Sequence, residues 1–208
     1  MKNIILTSKG IVNLQIAKHL LTVLRKPADE SKFGIIVNGA DTIEEKAKKA
    51  EKRFFRAKLL GFKLIDIIDL ELFDVTKLEK YDCIEIAGGN PFRILSVFKR
   101  TKADQIITKL GKSGKIVIGA SGGSFVLSPN LNFINFIEPK LNYNNSDLSA
   151  LNLFPNEIFP HFDSYWQYNS KLEKSSKEYE RINEISLIKI NDDQAVYMNG
   201  DKLVIEAI

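Results

Sequence analysis

Ser121 and His161 are the two residues whose types and surroundings best fit hydrolytic chemistry. Ser121 lies in Gly119-x-Ser121-x-Gly123, between an apolar run and a stretch of helical periodicity, and His161 follows Pro160 in the segment IFPHFD. A serine hydroxyl becomes a good nucleophile when an adjacent imidazole takes its proton. The glycines suit a nucleophile elbow, because its strained strand-to-helix turn leaves space only for small neighbours of the serine. The pattern therefore predicts acyl transfer, with Ser121 as nucleophile and His161 as general base.

The elbow is one of three interpretations of the segment GASGGS, from Gly119 to Ser124. The others are a plain turn and a loop that holds an anion with backbone N–H groups. The strand-to-helix setting favours the elbow, which would place the N–H of Gly122 at a helix N-terminus, aimed at a developing oxyanion. Two common phosphate-binding motifs are missing: Thr7-Ser8-Lys9-Gly10, not GxGxxG, follows the first strand, and GxxxxGK[ST] does not occur.

Histidine and cysteine are scarce enough to limit other chemistries. The 208 residues include two histidines, His19 and His161, and one cysteine, Cys83. This set cannot form an intrachain disulfide, a CxxC redox pair or a cysteine- or histidine-rich zinc site. We expect His19 on the surface of the first helix and Cys83 as a buried, inert thiol within a strand. The predicted reaction therefore needs neither a metal nor an organic cofactor, and His161 is the imidazole available to Ser121.

Length and charge place the chain among ordinary globular proteins. Its 208 residues fit one domain, residues 1–208. With 30 Lys+Arg interspersed among 26 Asp+Glu, the net charge is only +4, so we expect neither nucleic acid nor a membrane surface as partner. No apolar run approaches the roughly 20 residues of a membrane span, and the start MKNIILTSKG lacks the apolar stretch of a signal peptide. A cytoplasmic location is therefore expected.

Short apolar runs alternate with amphipathic stretches through the first 128 residues. Five strands are predicted, at 4–6, 33–37, 64–70, 82–86 and 115–118, with helices between them. This alternation is typical of a parallel sheet covered by helices on both faces. The fold class is therefore α/β with a mostly parallel sheet, and ligands are expected at the carboxyl ends of the strands.

The most clearly marked helix follows the second strand. Apolar residues occur at helical spacing from Ile43 to Ala57, and Thr42 and Glu45 have the spacing of a capping box. Its charged face is expected to be a solvated surface rather than a binding patch. That face carries Glu44, Lys48, Lys49 and Lys52.

The chain changes character after Pro129. Residues 130–160 are rich in asparagine and proline and predict long ordered loops, whereas 172–182 predict a charged helix. A closing antiparallel meander with a hairpin turn at Asn199-Gly200 is predicted from three apolar segments, at 185–190, 194–198 and 203–205. The edge of this meander could pair with a second copy of the chain, so the pattern allows a homodimer.

Three segments resemble peptidase family S51, the serine peptidases that include dipeptidase E (alpha-aspartyl dipeptidase) and the more distant cyanophycinases. They are AGGNPFRIL from Ala87 to Leu95, IGASGGS from Ile118 to Ser124 and LNLFPNEIFPHFD from Leu151 to Asp163. The resemblance implies a flavodoxin-like three-layer sandwich, as in class I glutamine amidotransferases. It also implies hydrolysis of short peptides through an acyl-enzyme, with Ser121 as nucleophile and His161 as base.

The resemblance implies an oxyanion hole and a substrate contact as well. The oxyanion hole would consist of the N–H groups of Gly122 and of the diglycine loop, where Gly89 is preferred to Gly88. The neighbouring Asn90 is a candidate substrate-binding residue. Selection of an N-terminal aspartate would need a cation, and the segment KEYERINE offers Arg181, with Lys177 as the alternative.

The third member of the triad is where the chain departs from the family pattern. The aspartate that orients the histidine in dipeptidase E aligns, without gaps, with Phe136. Glu138 is the preferred replacement, because a carboxylate stabilises an imidazolium better than an amide does, and Asn135 is second. Two other functions stay open: a serine esterase or acyl hydrolase on the same fold, and a non-catalytic binding module with a decayed triad. The side chain that contacts the far nitrogen of His161 distinguishes an assembled triad from a decayed one.

Overall fold

A seven-stranded sheet forms the centre of the protein. The structure is a computed structural model and describes residues 2–164, 170–200 and 202–206. Its strands are β1 Asn3–Thr7, β2 Lys32–Ile36, β3 Leu64–Ile68, β4 Cys83–Ile86, β5 Ile116–Ala120, β6 Ile158–Phe159, β7 Ile188–Lys189, β8 Ala195–Asn199 and β9 Lys202–Glu206. The large sheet has the order β3-β2-β4-β5-β1-β8-β9, and β6 and β7 pair separately. The first five strands are mutually parallel, whereas β8 runs antiparallel to β1 and β9 antiparallel to β8.

Helices cover both faces of this sheet. They are α1 Leu14–Val23, α2 Ile43–Leu59, α3 Pro91–Thr101, α4 Ala103–Ser113, α5 Gly122–Leu127, α6 Asn132–Ile137 and α7 Ser170–Asn183, with 3-10 turns at Val75–Lys80 and Pro139–Leu141. Helices α1 and α2 contribute to the apolar core on one face, and α3 to α7 to the core on the other. The predicted three-layer α/β sandwich is confirmed. None of the described helices is long and apolar enough to cross a membrane.

The two cores follow from the alternation of side chains along each strand. In β1, Ile4 and Leu6 contribute to the core with α3 to α7, and Ile5 contributes to the core with α1 and α2. In β5, Val117 contributes to the first of these cores and Ile118 to the second. All five side chains are at most 1% exposed. Strands buried on both faces read as continuous apolar runs, which is why the sequence shows them so clearly.

Side-chain caps begin α2 and α3, the helices that follow β2 and β4. Thr42 accepts the N–H of Glu45 at 3.1 Å and begins α2, as the capping spacing predicts. The Asn90 side chain accepts the N–H groups of Phe92 and Arg93 at 2.9 and 3.2 Å and begins α3. Side-chain oxygens at these N-caps satisfy backbone donors that have no partner within the helix.

The C-terminal region differs from the predicted meander in one strand. Of segment 185–190, only β7 is extended, and it pairs in parallel with β6 outside the main sheet. The hairpin of β8 and β9 forms as predicted around Gly200, which has φ of +64°. Apolar periodicity alone cannot tell which partner a short strand will find, because that choice depends on the loops that carry β6 and β7.

The single cysteine lies in the core with α1 and α2, and His19 lies on a face of α1. Cys83 is fully buried, and burial raises the pKa of its thiol well above the usual value, as an inert cysteine requires. His19 was expected on the helix surface, but it is only partly exposed and stacks on Tyr197 of β8, with ring centroids 3.6 Å apart. Tyr197 lies on β8, so the sequence of α1 alone does not reveal this ring contact.

Candidate active site

Ser121 occupies a strained turn between β5 and α5. Its backbone has φ of 53° and ψ of −115°, a conformation that non-glycine residues rarely adopt. Its N–H donates to the carbonyl of Thr7, at the end of β1, at 2.9 Å. A Cβ added at Gly119 would lie 2.7 Å from the carbonyl oxygen of Gly123, and one added at Gly123 would lie 2.1 Å from that of Ile86. The glycines of the motif are therefore required for packing, and the strained strand-to-helix turn has the geometry that the predicted elbow requires.

The first turn of α5 is fastened to β1. The hydroxyl of Ser124, which is fully buried, donates to the Thr7 carbonyl at 2.7 Å and accepts the Thr7 N–H at 3.1 Å. The Thr7 hydroxyl in turn donates to the carbonyl of Gly119 at 2.8 Å. These bonds connect both sides of the elbow to one residue of β1, so they oppose relaxation of the strained serine.

The diglycine loop after β4 lies directly against the elbow. A Cβ added at Gly88 would be 2.8 Å from the Cβ and 3.4 Å from the hydroxyl oxygen of Ser121. A Cβ added at Gly122 would be 2.1 Å from the carbonyl oxygen of Gly89 and 3.2 Å from its nitrogen. Gly89 has φ of +133°, which strongly favours glycine. The structure thus brings Gly88, Gly89 and Gly122 together around Ser121.

His161 is held by the residue that follows Thr7. Its backbone is left-handed, with φ of 61°, and its N–H donates to the hydroxyl of Ser8 at 2.8 Å. The Ser8 hydroxyl donates to the carbonyl of Ile190 at 3.2 Å and is itself buried. Consecutive residues at the end of β1 therefore anchor Ser121 and His161, which places both backbones at the same edge of the sheet.

Asp192 contacts the imidazole of His161. Its Oδ1 lies 2.5 Å from Nδ1 of His161, and its Oδ2 lies 2.6 Å from Nζ of Lys9 and accepts a hydrogen bond from the hydroxyl of Ser164. The backbone N–H of Asp192 donates to Oδ1 of Asp163 at 3.0 Å. Burial of Asp192 opposes its ionisation, but the hydrogen bonds from Lys9, Ser164 and His161 outweigh burial and lower its pKa. An anionic carboxylate therefore faces the far side of the imidazole ring.

The two residues expected to orient His161, Glu138 and Asn135, make other contacts in the structure. Glu138 caps α6, where its N–H donates to the carbonyl of Ile134 at 2.9 Å. The side-chain oxygen of Asn135 accepts from the amide of Asn142 at 2.9 Å. Asp192, which sequence reasoning missed, takes the Nδ1 position instead. It lies in the turn just before β8, and β8 pairs antiparallel with β1.

The remaining predicted substrate contacts are placed as follows. The side chain of Asn90 caps α3, and its amide donates to the carbonyl of Leu141 at 2.9 Å. Arg181 is exposed in the last turn of α7. Lys177, on the same helix, pairs with Glu173 at 2.6 Å. Asn90 therefore has a structural role at the start of α3, and it also lines the cavity described next. Neither Lys177 nor Arg181 is among the described residues that line this cavity.

A cavity of about 590 Å³ opens beside the diglycine loop. Its lining includes Gly89, Asn90, Leu141 and Tyr143, and α2 contributes four cations. The cations are Lys48, Lys49, Lys52 and Arg53, and Asp41 and Glu45 are the acidic residues of the lining. The charged face of α2, expected to be merely solvated, therefore forms a wall of this cavity. Within the described part of the chain, no three His, Cys, Asp or Glu side chains are grouped as a metal ion would require.

Comparison with known proteins assigns the chain to a family. The model of Peptidase family S51 matches residues 4–206. The chain belongs to peptidase family S51. Among its relatives, an uncharacterized peptidase of Listeria monocytogenes EGD-e is 30% identical over 212 residues, covering 98% of each chain. Peptidase E of Streptomyces coelicolor is 25% identical over 138 residues, which are 63% of this chain and 54% of that protein.

A solved structure extends the agreement to the backbone. The crystal structure of a candidate peptidase E from Listeria monocytogenes EGD-e matches with a TM-score of 0.76 at 25% sequence identity. The match covers 100% of this chain and 99% of that one. The predicted resemblance to family S51 and the predicted fold class are both confirmed.

Proposed function

We propose that this S51 protein is a serine peptidase that hydrolyses short peptides through an acyl-enzyme on Ser121. The observation that carries the proposal is the anchoring of the strained Ser121 and of His161 by the consecutive residues Thr7 and Ser8. The Asp192 carboxylate at Nδ1 of His161 adds support, because it supplies the acidic group that is missing near Phe136. This contact weakens the case for a decayed triad in a binding module.

The proposed reaction has two halves. His161 takes the proton of the Ser121 hydroxyl while its oxygen attacks the scissile carbonyl carbon. The N–H groups of Gly122 and Gly89 stabilise the tetrahedral oxyanion, and collapse of this intermediate breaks the C–N bond as His161 protonates the leaving amine. A water, deprotonated by His161, then releases the acyl group and restores the serine. Asp192 accepts the Nδ1 proton in a hydrogen bond and stabilises the imidazolium throughout.

The cavity beside Gly89 supports a small, acidic peptide as substrate. Its volume of about 590 Å³ lies in the range of small-molecule sites. Lys48 and Lys52 are exposed along its α2 wall, so they can attract a carboxylate. We therefore propose dipeptides with a carboxylate side chain, including N-terminal aspartate, as the first substrates to test.

A fluorophosphonate probe tests the nucleophile. Wild-type protein should be labelled at Ser121, and Ser121→Ala should abolish both labelling and hydrolysis. His161→Ala should slow labelling strongly, because the serine loses its base. Labelling that persists in Ser121→Ala, or that is absent from the wild type, would overturn the proposal.

A matched panel tests the substrate class. Aspartyl dipeptides, their asparaginyl counterparts and short acyl esters are offered to the same enzyme preparation. Faster hydrolysis of the aspartyl peptides is expected, and Lys48→Met with Lys52→Met should reduce that preference. Hydrolysis of the esters alone would instead identify an acyl hydrolase.

A further inference from the structure

Lys49 makes a contact that the proposed mechanism does not yet use. Its Nζ donates to the carbonyl oxygen of Gly88 at 3.0 Å. Lys49 lies on α2 and is only partly exposed, and this hydrogen bond joins α2 to the loop between β4 and α3. The contacted carbonyl belongs to the same peptide group as the N–H of Gly89.

We propose that Lys49 is a positioning residue for the oxyanion hole, acting through the Gly88–Gly89 peptide group. The inference rests on the proposed peptidase function. In a trans peptide the C=O and N–H point in opposite directions across a rigid plane, and none of the described peptide bonds is cis. A cation that holds the Gly88 carbonyl therefore also fixes the direction of the Gly89 N–H. That direction leads away from α2, and the Gly89 nitrogen itself lies close to Gly122.

The Gly88–Gly89 peptide group needs a restraint because its neighbouring residues leave it conformational freedom. Glycine on both sides of the bond gives the loop more freedom than any other residue pair would. Packing limits part of that freedom, because the N–H of Asn90 donates to the carbonyl of Gly39 at 2.9 Å. The hydrogen bond from Lys49 restrains the Gly88 carbonyl itself, so it opposes a flip that would reverse the direction of the Gly89 N–H.

The backbone of Lys49 is bound by a side chain from the following turn of α2. The guanidinium of Arg53 donates to the Lys49 carbonyl at 3.2 Å and pairs through Nε with the buried Glu85 at 2.9 Å. Burial lowers the pKa of Lys49, and the charge of Arg53 lowers it further, although Glu45 partly compensates. An ammonium that has lost part of its water bonds more strongly to the carbonyl that replaces it.

The charge of Lys49 has a second effect on the same peptide group. A cation at the carbonyl oxygen draws electron density toward that oxygen, which makes the N–H on the other side a better hydrogen-bond donor. The benefit grows as the oxyanion forms, since an ionised acceptor responds most to donor strength. Lys49 should therefore affect the transition state more than the bound substrate.

The test compares Lys49→Met, Lys49→Arg and the matched control Lys58→Met. Methionine keeps the length and apolar stem of lysine but cannot donate, arginine retains a cationic donor, and Lys58 is exposed on the same helix outside the cavity. Loss of an oxyanion-hole donor costs roughly 10²–10³-fold in kcat. A donor that is misdirected rather than removed should cost less, so Lys49→Met should lower kcat about 10- to 100-fold.

Three readouts separate positioning from other roles. Lys49→Met should leave KM for the best dipeptide within about twofold, because the ground-state carbonyl depends less on the oxyanion hole. The rate of fluorophosphonate labelling of Ser121 should fall in parallel with kcat. Lys49→Arg should recover at least part of kcat, and Lys58→Met should match the wild type in both constants and in Tm.

The outcomes test the positioning role of Lys49 separately from the proposed peptidase function. Wild-type kcat in Lys49→Met, or a raised KM with unchanged kcat, overturns the positioning role while the peptidase function stands. A kcat that falls only together with Tm, without recovery in Lys49→Arg, also overturns it, because that result indicates a structural role. Absence of wild-type labelling and hydrolysis overturns the proposed function and the positioning role with it.

Discussion

Replacing Asp192 by asparagine tests the assignment of the third catalytic residue most directly. The carboxylate uses one oxygen for Nδ1 of His161 and the other for Nζ of Lys9. Asparagine has a single oxygen, so it can satisfy only one of these donors. The ammonium of Lys9 makes the stronger, charge-assisted bond and should capture that oxygen, which turns the NH₂ group toward His161.

The expected magnitude follows from the tautomer that this orientation imposes. An NH₂ group that faces Nδ1 requires this nitrogen to be unprotonated, so the ring proton lies on Nε2. A protonated Nε2 cannot accept the proton of Ser121. The same kind of replacement in a serine protease triad costs roughly 10⁴-fold in kcat. We therefore expect Asp192→Asn to lower kcat by about 10⁴-fold, or ~5.5 kcal/mol in activation free energy.

A second substitution tests the mechanism of that loss. Lys9→Met in the Asp192→Asn background removes the cation that captures the amide oxygen, which can then turn to His161. Each ~1.4 kcal/mol of preference for the unproductive orientation that this substitution removes should appear as a tenfold gain in kcat. Single-turnover hydrolysis of the best dipeptide measures all variants, with Lys9→Met alone as the reference for loss of the ion pair.

Two results would refute this reasoning. The first is Asp192→Asn activity within tenfold of the wild type, which would remove Asp192 from the triad. The second is a larger loss in Glu138→Gln than in Asp192→Asn, which would restore the residue expected from the sequence. Failure of Lys9→Met to raise the activity of Asp192→Asn would refute only the proposed amide orientation.

Three stability predictions follow from the contacts that hold the site, each measured by urea unfolding. Ser124→Ala should cost about 1–3 kcal/mol, because the buried N–H of Thr7 loses its acceptor; a cost near zero would contradict this. Arg53→Met should cost about 3–5 kcal/mol by leaving the buried Glu85 charge unpaired, and adding Glu85→Gln should recover part of the loss. Burial raises the pKa of Asp82, but hydrogen bonds from neighbouring lysines outweigh burial and lower this pKa overall. Asp82 therefore stabilises the fold above about pH 4, and this stabilisation is lost as the pH falls through the pKa of the folded state. Asp82→Asn should thus destabilise the protein at neutral pH, with a difference that shrinks as the pH falls below about 4.

The sequence predicts those parts of the site that depend on local structure. Ser121 and its glycines can be identified because an elbow needs small residues at fixed spacing along one turn. The parallel strands can be identified because burial on both faces requires unbroken apolar runs. His161 follows from scarcity, since the sequence has two histidines and the other one, His19, lies within the first predicted helix.

The missed residues depend on which strands become neighbours. Asp192 reaches His161 because β8 runs antiparallel to β1, with Ala195 in register with Thr7, so the turn before β8 meets the end of β1. Glu138 and Asn135 are predicted because they flank Phe136 along the chain, and this proximity carries no information about that pairing. The sequence of α2 likewise shows a charged face, but only the position of the diglycine loop makes Lys49 a contact of that loop.

The order of the site's parts along the chain has a consequence for biosynthesis. The loop that anchors Ser121 and His161 is translated first, whereas Asp192 and the strand β8 that positions its turn are translated near the end. A chain that emerges from the ribosome N-terminus first contains the nucleophile long before it can orient the base. On the proposed mechanism, the triad is therefore complete only late in synthesis, once the turn that carries Asp192 has emerged and β8 has paired with β1.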